Sequence, residues 1–182
     1  MRVIKTATVA VLLLSFMVPL LSIGTTQACW WRRPLRATMN LDLSHARPVI
    51  EGEPGYDPAL GEEQVAMLTW TGSISGGING YMRFFLTNYQ LEGKNNEWGH
   101  FWEVWQIFDE EGGLLLMEGY DEGYTHQAEG FYAMVGRVTY TSPEFARWQG
   151  HIVFMHGIIS PPPGEWATNP DIPEAPGRFN VF

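Results

Sequence analysis

Glu103 is the carboxylate whose surroundings best suit chemistry. It lies in Phe101-Trp102-Glu103-Val104-Trp105, between large apolar groups. Alternate residues of an extended strand share a face, so Phe101, Glu103, Trp105 and Ile107 lie together. A carboxyl on an enclosed face loses its hydration. Its pKa then rises toward the range in which a general acid or base works. On an outer face, Glu103 would be a surface residue, or would pair with an arginine such as Arg83 or Arg137. Glu118 and Glu129 share the feature less fully.

Other reaction types lack their residues. The histidines are His45, His100, His126, His151 and His156. His151 and His156 are five apart and face opposite sides of a regular strand. No HExxH, CxxC or His-x-His pair is present, so no metal site and no cofactor are expected. Ser73, in Thr71-Gly72-Ser73-Ile74-Ser75-Gly76, is a pleat residue and does not sit in a nucleophile elbow. Gly-Lys occurs only at Gly93-Lys94, in a hairpin, which leaves no phosphate loop. The acidic segment 44–63 reads as a solvated loop, since it lacks the Asp/Asn spacing of a calcium loop.

The elements that must position Glu103 are strands. Apolar alternation predicts strands at 35–43, 65–75, 81–91, 100–109, 114–120, 129–141 and 151–159, with an eighth short strand or a simple tail at 178–182. Glycine and asparagine turns separate them: GGING at 76–80, GKNNEWG at 93–99, DEEGG at 109–113 and DEG at 121–123. Segment 142–150 reads as a corner with one helical turn after Pro143. Past the N-terminus no segment has helical periodicity. Strands at hairpin spacing predict an all-β fold, a single closed antiparallel barrel of about eight strands. The core is placed at 65–160, after a leader, first strand and acidic loop at 29–64, with a Pro-rich tail at 161–182.

Segments 129–141 and 151–159 are apolar on both faces. One barrel covers only one face, so the outer face is expected to be covered too, by the tail, the long loop or another subunit, with homo-oligomerisation as the working expectation.

Gly130-Phe131, Val135-Gly136-Arg137-Val138, Trp148-Gln149-Gly150 and Gly157 resemble the closing half of the allene oxide cyclase and dirigent-type barrels. Thr71-Gly72-Ser73-Ile74-Ser75-Gly76 with Asn79-Gly80 resembles their opening hairpin. The likeness covers roughly residues 65–159, with long gaps. It implies an eight-stranded, calycin-like barrel, often trimeric, with an apolar cavity. The cyclases use a glutamate there, but no position of this chain is matched to it.

The first 28 residues have the layout of an export signal: Arg2 and Lys5, the apolar run at 7–23, then Thr26-Gln27-Ala28. Cleavage after Ala28 would leave 154 of the 182 residues. Retention as a membrane anchor is the alternative, and Trp30, Trp31, Arg32 and Arg33 suit an interface. Cys29 is the single cysteine. It would become the first residue, where a lipoprotein is acylated. A secreted or cell-surface location follows from either outcome, with membrane contact only through the signal, an anchor or a lipid on Cys29.

The 182-residue chain carries 11 basic and 20 acidic residues. No basic stripe interleaves with aromatics, which excludes nucleic acid as a partner. Eight tryptophans favour binding or core filling. The expected role is a non-enzymatic barrel that binds an apolar small molecule through Trp105, Phe101 and Trp70, or assembles with a partner at the cell surface. The alternative is a cyclase- or isomerase-type enzyme acting on a lipid-derived substrate around Glu103.

Overall fold

The computed structural model describes residues 33–59, 68–165 and 174–182. The export segment, Cys29 and the first residues of the second expected strand, 65–67, lie outside the described residues. Eight strands form one closed antiparallel barrel, each paired with its neighbours in chain order. They are β1 (Leu35–Pro48), β2 (Leu68–Gly76), β3 (Gly80–Glu92) and β4 (Trp98–Phe108), followed by β5 (Leu115–His126), β6 (Phe131–Thr141), β7 (Ile152–Ile158) and β8 (Glu174–Val181). β1 pairs with both β2 and β8, which closes the cylinder and leaves no free sheet edge.

Period-two alternation explains the wall. In β1, Leu35, Ala37, Met39 and Leu41 are buried while Arg36, Thr38 and Asn40 are exposed. In β7, Val153 and Met155 are buried while Ile152 and Phe154 face outward. The turns follow local chemistry. Between β4 and β5, Asp109 Oδ1 accepts hydrogen bonds from the backbone N–H groups of Gly113 and Leu114, and Gly112 takes φ +74°.

Three boundaries differ from expectation. β5 does not break at Asp121-Glu122-Gly123 but runs to His126. β8 starts at Glu174, inside the Pro-rich stretch, and is a full wall strand. β1 extends to Pro48, through part of the acidic loop, where Arg47 grips Glu53 at 2.8 and 2.5 Å. The barrel therefore takes in strands on both sides of segment 65–160.

The lumen has two halves. β1, β3, β5 and β7 begin at one end, which is packed solid: Met82, Trp105, Ile107, Met117, Val153 and Val181 have no exposed surface. Ile78 from the β2–β3 turn and Trp148 from the 3-10 turn Pro143–Trp148 are buried there too. Toward the opposite end the described residues leave a cavity.

Outside, β6 and β7 carry an apolar strip. Val135 faces Phe154 across the strands and Phe131 faces Ile158, with exposures of 55, 38, 37 and 56% respectively. Soluble proteins rarely leave such contiguous patches bare.

Candidate functional site

The site lies where the two halves of the lumen meet, and the β4–β5 register builds it. Phe101 faces Gly123, Glu103 faces Asp121 and Trp105 faces Gly119. All six point inward. The glycines make room for the rings opposite. A Cβ on Gly119 would stand 2.2 Å from the Trp105 ring, and one on Gly123 would stand 2.8 Å from the Phe101 ring. Between the two rings the carboxyls of Glu103 and Asp121 face each other. On the far side of Asp121 is Gly136 of β6, where a Cβ would come within 2.6 Å of the Asp121 Cβ. Three side-chain-free positions thus surround the acid pair.

Above Trp105 the lumen opens into a cavity of about 460 Å³. Apolar groups line most of it: Leu41, Trp70, Leu86, Phe101, Tyr132 and Met134. Tyr89, Thr125 and Gln127 add polar atoms, and Gln127 Nε2 donates to the Tyr89 hydroxyl at 2.9 Å. Glu103 is the one carboxyl in the lining, and no basic side chain lines it, among the described residues.

Glu103 and Asp121 are almost fully buried, at 4% and 1% exposure. Glu103 Oε2 and both Asp121 carboxyl oxygens have no hydrogen-bond partner among the described residues. Burial pushes the Glu103 carboxyl well above the usual range, and the neighbouring Asp121 charge adds to this. Burial likewise pushes Asp121 well up. An unpaired buried carboxylate costs several kcal/mol, so burial favours the protonated form of each carboxyl. Burial, then the Glu103 charge, raises Tyr132, whose hydroxyl donates to the Ala175 carbonyl at 3.4 Å. The chemical result is a neutral carboxylic acid facing an apolar chamber, with a hydrogen bond to offer and a second carboxyl behind it. Ketone, ester, epoxide and amine groups are the acceptors that suit it.

The expected site residues separate. Phe101 and Trp70 line the cavity alongside Glu103. Trp105 does not line it; it is the floor beneath, edge-on to Phe179 at 5.4 Å. Cys29 lies outside the described residues. Glu118 is on the outer wall, accepting from Gln106 Nε2 at 2.7 Å, and Glu129 is exposed in the β5–β6 turn. No His/Cys/Asp/Glu group of metal-binding size occurs among the described residues.

His100 is on the outer wall. It lies between the rings of Trp102 and Tyr124, with its ring nitrogens 2.9 and 2.8 Å from Glu92 and Glu122. Partial burial pulls its pKa down, but the two carboxylates outweigh that and leave it raised.

Asp121 is the site residue that sequence reading missed. Its signal was present: Gly119, Asp121, Gly123 and Thr125 share one parity, which has meaning only if the strand continues through them. Family models, curated proteins and solved structures were all compared with the chain, and none of them matches it.

Proposed function

We propose that this protein binds an apolar small molecule in the open half of its barrel, with an acceptor group of the ligand on the Glu103 carboxyl. The carrying observation is the cavity itself, about 460 Å³ of mostly apolar wall with one unpartnered acid. That volume is within the about 300–1,000 Å³ typical of small-molecule sites. An eight-stranded barrel is also the size that holds one such ligand. The proposal keeps the expected export of the protein to the cell exterior.

The test is a calorimetric titration with a long-chain ketone and the alkane of equal length. The ketone is expected to bind more tightly, and Glu103→Leu to remove about tenfold of that preference. Leu41→Trp, which fills the chamber, should abolish binding of both while far-ultraviolet dichroism stays unchanged. Binding that survives a filled lumen would sink the reading.

A specific observation favours a second reading. A neutral acid with a second carboxyl beside it is also an acid–base pair. In a cyclase- or isomerase-type reaction on a lipid-derived substrate, Glu103 would give its proton to a substrate oxygen and recover it as product forms. Glu103→Gln separates the readings, because the amide still donates a hydrogen bond but cannot transfer the proton. Turnover that is retained in that variant would exclude Glu103 as the proton donor.

We also propose that a second copy of the chain covers the strip of Val135, Phe154, Phe131 and Ile158. Light scattering should give a multiple of the single-chain mass, and Val135→Glu with Phe154→Glu should return it to one chain. A monomeric mass for the unaltered protein would remove the proposal.

A further inference from the structure

The outer wall beside the apolar strip carries a second pocket of about 360 Å³, formed by β2, β1, β8 and β7. Its polar side chains are Arg36 and Thr38 of β1, Ser75 of β2, Arg178 and Asn180 of β8, and His156 of β7. The registers bring them together. Thr38 is the partner of both Ser75 and Arg178, Arg36 is the partner of Asn180, and His156 is the partner of Arg178. Arg36 and Arg178 are therefore diagonal neighbours, about 7–8 Å apart at the backbone, and their long side chains can meet over one anion. Gly76 and Ala37 supply no bulk and leave the floor low.

All six polar side chains can donate hydrogen bonds, and no carboxylate lines the pocket. That is unusual in a chain with 20 acidic residues against 11 basic. The other arginines of the strands and turns are occupied. Arg47 holds Glu53, Arg83 lies over Phe108, Arg137 donates to the Gly150 carbonyl, and Arg147 lies over Trp148. Arg36 and Arg178 have no carboxylate partner among the described residues. Arg178 Nη1 donates to Thr38 Oγ1 at 2.7 Å, which fixes the guanidinium over the pocket.

From this juxtaposition we infer that the pocket binds a phosphate group, through the paired guanidiniums of Arg36 and Arg178 with hydroxyl donors from Thr38 and Ser75. Guanidinium forks match tetrahedral oxyanions in geometry and charge. Two guanidiniums can meet both charges and several acceptor oxygens of a phosphate, which a monovalent anion does not offer. The source is either free phosphate or a phospholipid headgroup. The pocket shares no lining residue with the lumen cavity.

The test uses the full chain in two arms. In the first, thermal unfolding is followed with inorganic phosphate and with chloride at equal ionic strength. In the second, co-sedimentation is measured with phosphatidylcholine vesicles alone and with about one-fifth phosphatidic acid. Phosphate stabilisation, preferential sedimentation with the acidic vesicles, or both are expected. Arg36→Gln with Arg178→Gln should weaken each observed effect about tenfold or more, and Arg147→Gln should leave it unchanged. Binding in the vesicle arm alone identifies a lipid headgroup, and binding in both arms identifies the phosphate group itself. No binding in either arm, or binding that persists in the double variant, overturns the inference.

Discussion

Lowering the pH from about 8 to about 5 stabilises this protein against unfolding, because the folded barrel holds protons that the unfolded chain releases. Unfolded, Glu103 and Asp121 titrate near their ordinary values of 4.5 and 3.8. Folded, burial raises both, and the Asp121 charge adds to the rise of Glu103. Above the ordinary values the native state binds more protons than the unfolded state, so stability falls as pH rises toward the folded values. Each retained proton gives a slope of up to about 1.4 kcal/mol per pH unit. Over two units that is about 3 kcal/mol, a large fraction of the ~5–15 kcal/mol that holds a domain together.

His100 acts in the same direction. Its raised pKa supplies stability below its ordinary 6.5 that is lost as pH rises through the folded value. Asp42 and Glu53 are lowered instead, by hydrogen bonds from Ser44 and His45 and from Arg47 respectively. Their contributions are lost only below the ordinary carboxyl range, outside this interval. Glu103→Gln isolates the buried pair, since it removes one titrating group and leaves the rest. Urea unfolding at several pH values should give a clearly flatter profile for the variant. Parallel profiles for the two proteins, or stability that rises from pH 5 to 8, would contradict the protonated pair.

The second large effect is steric. Gly119→Ala should destabilise the barrel by about 1–3 kcal/mol or more, as overpacking a filled core does. The new methyl would lie 2.2 Å from the Trp105 ring and 2.4 Å from the Arg137 carbonyl. Neither neighbour has room to retreat. The indole has no exposed surface and is edge-on to Phe179 at 84°, and the carbonyl belongs to β6. Trp105→Phe removes the ring edge that meets the methyl. The double variant should therefore be more stable than the two single effects predict, by about 1 kcal/mol, with the carbonyl contact preventing full rescue. Unfolding midpoints measured at unchanged urea dependence provide the number. A Gly119→Ala protein within about 0.5 kcal/mol of the parent would show that the floor beneath Glu103 is not tightly packed.

The inward face of β4 was legible because it needs only local information. Phe101, Glu103, Trp105 and Ile107 alternate with half-buried residues, and three large apolar neighbours favour the enclosed side. β5 was not legible for the opposite reason. Gly-Tyr-Asp-Glu-Gly is turn chemistry by propensity, since glycine and aspartate are depleted in strands. Here the strand continues through them because Trp105 and Phe101 fill the volume their side chains would take. The same local rule hid β8, where Pro176 argues against a wall strand. It lies opposite Asn40 in the pairing that closes the barrel.

By itself the sequence determined seven strands, with an eighth left open, their hairpin order and which side chains share a face, since these depend on period-two alternation and turn residues. It thereby determined a closed antiparallel barrel with Glu103 on the same face as three large apolar groups. Only the tertiary structure decided that this face is the lumen, that Asp121 stands opposite Glu103, that Trp105 is a floor beneath the cavity, and that the described residues leave a cavity in one half of the barrel. Those outcomes depend on register and closure. A one-residue slip would send every inward side chain outside, and its cost is set by contacts between residues far apart in the chain.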